Sequence, residues 1–233
     1  KKIGFNDSSG GIAASGGTLS NLNALIAARH NSGLGSDPNS VLLVSEDAHS
    51  SFIKCIRIMG LDEANLIRIK TDNNGSIDIQ NLRKTIDRCF IDNKKIFAIV
   101  ATLGTTVRGA IDPIKDISEI CKERNIWLHI DGSIGGIFAI TSIPIEGLNN
   151  INQANSITIN PQKIIGITKT SSLLLVSEMS TLENTFSTGL PYLSSNEDII
   201  NRGEIGIQGS RPAEVIKLWL GLRFLGLNGI ENI

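Results

Sequence analysis

Short apolar runs separated by polar turns recur along the chain. Val41–Ser45 (VLLVS), Ile96–Ala101 (IFAIVA) and Ile126–Ile130 (IWLHI) are apolar without alternation. That is the pattern of strands covered on both faces of a parallel sheet. Gly10–Ser15 (GGIAAS), read as a buried strand, Leu66–Ile69, Ser156–Asn160 and Ser172–Val176 (SLLLV) bring the candidate strands to seven. Between them, apolar positions recur at helical spacing. Leu19, Leu22, Leu25 and Ile26 lead up to Arg29, with Thr18 as the expected N-cap. Ser51–Leu61 reads as a helix, and Ile79, Leu82, Ile86 and Cys89 form one face within Ile77–Ile91. Ile114, Ile117, Ile120 and Cys121 follow Pro113, which is expected at the first helical position. Glu214–Leu227 reads as a strongly apolar final helix. After Glu178 the pattern weakens, and 187–209 reads as a long loop or mobile segment. Strand and helix in alternation predict an α/β fold, a mainly parallel seven-stranded sheet with helices on both faces.

Composition narrows the function classes. The 233 residues are enough for one large domain with a sizeable core. A net charge of -1 without a basic run argues against nucleic acid or an anionic membrane as the main partner. No apolar run is long enough to span a bilayer, and the first residues lack a signal-peptide core. Cys55, Cys89 and Cys121 are scattered among apolar residues and suggest reduced thiols in a cytoplasmic protein. His30, His49 and His129 show no metal-ligand spacing, so no metal is expected.

Candidate chemistry gathers where strands end. Gly16-Gly17-Thr18 stands between a strand and a helix start, where glycines let an anion reach free backbone N–H groups. The same pattern also serves an ordinary strand-to-helix turn. His49 follows the run ending at Ser45, either as a capping residue or as a ring facing the rim. Thr102 closes Ile96–Ala101, and Asp131 closes Ile126–Ile130. A carboxylate at the end of a buried strand is costly unless it is paired with a cation. Ser156–Lys163 (SITINPQK) places Lys163 just past a strand end, where a desolvated amine becomes a Schiff-base nucleophile. Most lysines are solvated surface charges, and Lys169 is a rival amine without the Asn-Pro lead-in. An anion cradle, a stacking ring, a buried carboxylate and an amine together suit pyridoxal phosphate.

In SGGTLSNLNALIAAR (15–29), SEDAHSS (45–51), ATLGTTVRGAIDPI (101–114), WLHIDGSIGG (127–136), NPQK (160–163) and GSRPAEVIKLW (209–219) the chain resembles the group II pyridoxal-phosphate-dependent amino-acid decarboxylases. These include the glutamate, aromatic amino-acid, histidine and diaminobutyrate decarboxylases. The resemblance implies the fold-type I large domain and pyridoxal 5'-phosphate as cofactor. It implies an L-amino acid as substrate and a homodimer with a shared active site. It places Gly17, Thr18 and Asn160 at the cofactor phosphate, with His49 stacked on the ring. Thr102 and Ser133 fall against the ring, and Gln162 where cofactor or substrate is contacted. Asp131 pairs with the ring nitrogen and Lys163 forms the Schiff base. Tyr192, within FSTGLPYL (186–193), falls on the loop whose tyrosine reprotonates the substrate carbon. Gln162 departs from the family's usual histidine, and Gly132 from a common alanine, which is expected to loosen the turn. The family also carries an N-terminal segment and a C-terminal small domain that residues 1–233 do not match, so the chain reads as a fragment or a truncated protein. Within pyridoxal chemistry the alternative is another carbon–carbon lyase, and outside it a non-catalytic cofactor-binding subunit.

Overall fold

The computed structural model describes residues 2–169, 171–189 and 201–233. Every one of the apolar runs becomes a strand: β1 (Gly10–Ala14), β2 (Ser40–Ser45), β3 (Leu66–Ile69), β4 (Lys95–Thr102), β5 (Trp127–Gly132), β6 (Ser156–Ile159) and β7 (Ser172–Val176). They form one seven-stranded sheet in the order β1-β7-β6-β5-β4-β2-β3. The pairs from β3 through β2, β4 and β5 to β6 are parallel. β7 runs antiparallel to both β6 and β1, so β1 points the same way as the parallel set. β1 is an edge strand and only half-buried, where a buried strand was expected. Its glycines allow this, because Gly11 leaves no room for a side chain against the Leu174 carbonyl.

The helices are α1 (Gly17–Asn31), α2 (Ser51–Ile58), α3 (Ile79–Ile91), α4 (Ile114–Arg124), α5 (Ser180–Phe186) and α6 (Glu214–Glu231). Successive side chains of a strand point to opposite faces, and the strands feed two cores accordingly. Val41, Leu43, Ile99 and Ile130 pack with α3, α4 and Leu218 of α6. Leu42, Val44, Phe97 and Val100 pack with Leu25 of α1 and with Phe52 and Ile56 of α2. α3 is capped by Asp78, whose carboxylate accepts from the N–H groups of Gln80 and Asn81. Pro113 is the N-cap residue of α4, one position earlier than expected. α5 was not predicted, because Leu182 is its only fully buried residue and leaves no apolar stripe to read. Among the described residues no helix is long and apolar enough to cross a membrane.

This topology sets up the site. The C-terminal ends of β1, β2, β4, β5 and β6 all open on one edge of the sheet, the edge where open α/β sheets bind ligands.

Candidate active site

The turn after β1 leaves backbone N–H groups that can take an anion. Gly16 takes φ +98°, a backbone open to glycine and rarely to other residues, and it is the N-cap of α1. Thr18 therefore lies inside the first turn, and the expected Thr18 cap is corrected. The Gly16 carbonyl accepts from the N–H groups of Leu19 and Ser20. The amides of Gly17 and Thr18, with no intrahelical partner at a helix start, remain for a ligand. A Cβ on Gly17 would collide with the side-chain amide nitrogen of Asn160. Asn160 is itself aimed: its Oδ1 accepts from the Ser172 hydroxyl (2.5 Å), which lies 2.7 Å from that of Ser20. The Asn160 NH₂ is left to point at the glycine turn.

At the end of β5, Asp131 is buried yet lines the same cleft. Its Oδ1 accepts from the Ser133 N–H (3.1 Å) and its Oδ2 from the Asn21 side chain (3.1 Å). No lysine or arginine of the described residues pairs with it. A buried carboxylate that meets only neutral donors is what a cationic ligand group would complete. Gly132 follows, and a Cβ there would stand 2.9 Å from the Thr158 carbonyl and 3.1 Å from the Gly136 Cα. The glycine thus lets β6 and the next turn close in, a tightening rather than the loosening expected from sequence.

His49 is exposed over the cleft, and its Nδ1 accepts from the Ser51 N–H (3.1 Å), which fixes the ring's position at the start of α2. The Ser51 hydroxyl is buried, lines the cleft and has no hydrogen-bond partner among the described residues. Lys163 ends the turn Asn160-Pro161-Gln162-Lys163, closed by its N–H donating to the Asn160 carbonyl (2.9 Å). Its side chain is exposed on the cleft and forms no ion pair with a described residue. Gln162 also lines the cleft, its Oε1 accepting from the Ser171 N–H (2.7 Å), which anchors the following segment.

Gly17, Thr18, His49, Asp131, Ser133, Asn160, Gln162 and Lys163 therefore share one cleft of about 250 Å³. Thr102 does not line it. It sits one strand away, in register with Asp131, and its N–H donates to the buried carboxylate of Asp112 (2.7 Å). Burial raises the Asp112 carboxyl to about 6 against the pull of the Ile77 and Thr102 amides. Lys169 lies outside the cleft lining, its carbonyl accepting from Lys217. Tyr192 lies outside the described residues. Among those described, no group of His, Cys, Asp and Glu could hold a metal. Ser15, Asn21 and Ser51 line the cleft without having been singled out in sequence. Asn21 had a readable signal, a polar residue within an apolar helical repeat.

Known proteins resemble the chain in sequence and fold. Residues 2–233 match the family described as the pyridoxal-dependent decarboxylase conserved domain. The chain is 31% identical to an aromatic-L-amino-acid decarboxylase of Bacillus atrophaeus over 229 residues, 97% of this chain and 48% of that protein. It is 33% identical to the acidic amino acid decarboxylase GADL1 of Xenopus tropicalis over 235 residues, 95% of this chain and 46% of that protein. The crystal structure of mouse CSAD in apo form superposes with a TM-score of 0.89 at 27% identity, covering 99% of this chain and 50% of that one. Catharanthus roseus tryptophan decarboxylase in complex with L-tryptophan gives 0.87 at 28% identity, with 99% and 50% covered. The chain spans about half the length of the relatives it matches.

Proposed function

This chain belongs to the pyridoxal-dependent decarboxylase family, and from that premise we propose that the protein decarboxylates an L-amino acid with pyridoxal 5'-phosphate. The observation that carries the reading is the meeting of Gly17, Thr18, His49, Asp131, Asn160 and Lys163 in one cleft, from four separate stretches of sequence. The cofactor fits the residues present, which among the described residues are helix-start amides without a partner, a buried carboxylate without a cation, an unpartnered Ser51 hydroxyl and an amine outside any ion pair. When bound it supplies an electron sink for the carbon–carbon bond that breaks.

The roles of the chain's own residues follow. Gly17, Thr18 and Asn160 hold the phosphate by amide and hydroxyl donors. His49 covers one face of the ring, its orientation kept by the Ser51 N–H. Asp131 holds the proton on the ring nitrogen. Ser133 binds beneath the ring, and Thr102 stands beside Asp131 on the neighbouring strand. Lys163 would hold the cofactor through its aldehyde, with its amine on the cleft where the substrate amine enters. Gln162 borders the substrate and cofactor. Tyr192 returns a proton to the substrate carbon. Residues 1–233 form the cofactor-binding large domain of this reading.

A homodimer with a shared site belongs to the same proposal. Trp219, Leu220 and Phe224 of α6 face outward, an apolar surface of the kind that partners cover. The cytoplasm is the proposed location, supported by three free and buried cysteines. The two curated relatives carry aromatic and acidic amino acids in their names, so both classes enter the test. Full-length protein loaded with pyridoxal 5'-phosphate is incubated with a panel of L-amino acids, and carbon dioxide is measured. Release from at least one member, lost by several orders of magnitude in Lys163→Ala, is the expected result. No release from any member overturns the reading.

A further inference from the structure

Beneath Asp131 runs a line of polar side chains, buried except for the half-buried Trp127, that the roles above do not use. Trp127 Nε1 lies 2.8 Å from Ser156 Oγ, which lies 2.8 Å from His129 Nδ1. His129 Nε2 lies 3.1 Å from Asn21 Oδ1, and Asn21 Nδ2 lies 3.1 Å from Asp131 Oδ2. Ser156 and His129 are fully buried, and Asn21 is 1% exposed. The backbone explains the alignment. His129 and Asp131 are two apart on β5 and share a face. Ser156 is the β6 residue in register with His129, and α1 lays Asn21 across the same face.

The carboxylate end gives this line its direction. An ionised carboxylate only accepts, so Asn21 presents NH₂ to Asp131 and its carbonyl oxygen to His129. A neutral imidazole meets that oxygen with its proton on Nε2, which leaves Nδ1 to accept from the Ser156 hydroxyl. An indole N–H only donates, so Ser156 accepts from Trp127. In this direction every donor in the line has an acceptor. Burial presses the His129 pKa down to about 4, against the pull of Asp131, and keeps the imidazole neutral. The other titratable neighbour, Cys55, is neutral too, its thiol pushed up to about 12 by burial and by the Asp131 charge. Among the described residues no cation therefore offsets the carboxylate charge.

We propose that Asn21, His129, Ser156 and Trp127 are positioning residues that act through Asp131: their one-way chain fixes the carboxylate's orientation and leaves its charge to the ring nitrogen of the bound cofactor. This rests on the function proposed above. An apolar set at these positions would fill the same space without desolvating four polar side chains. What the polar chain adds is a carboxylate that cannot turn away from the cleft.

The test compares two ligands in full-length protein: pyridoxal 5'-phosphate and its 1-deaza analogue, which has carbon in place of the ring nitrogen. Asn21→Ala and His129→Leu break the chain, whereas His129→Gln replaces the Nε2 donor with an amide. Both breaking variants are expected to weaken pyridoxal 5'-phosphate binding about tenfold, the scale of one hydrogen bond to a charged group. Binding of the deaza analogue is expected to stay within about twofold, and His129→Gln to recover most of the loss. Equal losses for both ligands, or no loss for either, overturn the proposal. Nitrogen-15 NMR of the unsubstituted protein supplies a check that needs no variant to fold: it should show a neutral His129 protonated on Nε2 near neutral pH. An imidazolium, or a proton on Nδ1, overturns the chain itself. Unsubstituted protein that binds neither ligand overturns the proposed function, and this role falls with it.

Discussion

His129 is where burial and charge meet most sharply in a single residue. Its folded pKa of about 4 lies below the ordinary 6.5, because the imidazole cannot be charged in that interior without a large cost. The unfolded chain therefore binds a proton that the folded chain refuses. The contribution to stability is complete above pH 6.5 and is lost as pH falls toward 4, in all by roughly 3 kcal/mol. Asp112 works in the opposite sense. Its folded value of about 6 exceeds the ordinary 3.8, so its contribution is present at low pH and fades as pH rises through about 6. Comparing His129→Gln with the unsubstituted protein separates the two. Urea unfolding should show the variant losing less stability than the parent between pH 6.5 and 4. Identical slopes would mean that His129 takes up its proton within the fold. The place of Asp131 in the cleft was legible at this scale, since a carboxylate closing an apolar strand asks for a cation. His129 was not: inside IWLHI it looks like a packed core residue, and its part depends on Asn21 and Ser156, which are distant in sequence.

At the scale of elements, the anion turn depends on two glycines for two different reasons. Gly16 needs its positive φ to cap α1, and Gly17 needs the absence of a Cβ because Asn160 approaches it. Gly17→Ala should therefore weaken cofactor binding at least tenfold while costing about 1–3 kcal/mol in thermal or urea unfolding, the range for an overpacked site. Unchanged binding would show that Asn160 moves aside and that the turn is no phosphate site. The central strands β2, β4 and β5 could be read from sequence because strands buried on both faces write continuous apolar runs. Strand direction could not be read. β7 runs antiparallel and leaves β1 at the edge through pairings that residues 10–14 and 172–176 do not announce locally. The Thr18 cap was a reasonable expectation from residue type. The backbone overrides it, because a glycine at positive φ starts the helix without a side-chain cap.

For the whole molecule, two apolar cores on either side of the sheet predict how the cysteines behave. Cys55, Cys89 and Cys121 are all buried, and burial raises the thiol pKa of each, for Cys55 and Cys121 to about 12. Thiolate is the reactive form. Folded protein should therefore react with a thiol reagent only slowly, at a rate set by global unfolding, and all three should react at once in strong denaturant. Rapid labelling of the folded protein would contradict the packing of both cores. The gathering of the site is itself a whole-molecule property. His49, Asp131 and Lys163 are carried by separate strand ends and meet only because those strands run parallel to a common edge. That edge was legible from the repeated placing of polar residues after apolar runs. The indirect place of Thr102, behind Asp131 and outside the cleft, was not, because it follows from strand register.

The central claim is that Lys163 holds the cofactor in this cleft. Full-length protein is saturated with pyridoxal 5'-phosphate, reduced with borohydride, digested and mapped by mass spectrometry. The account predicts one pyridoxyl-phosphate adduct, on the peptide containing Lys163, and none on that peptide in Lys163→Ala. An adduct on Lys169, or a protein that takes up no cofactor, would contradict it.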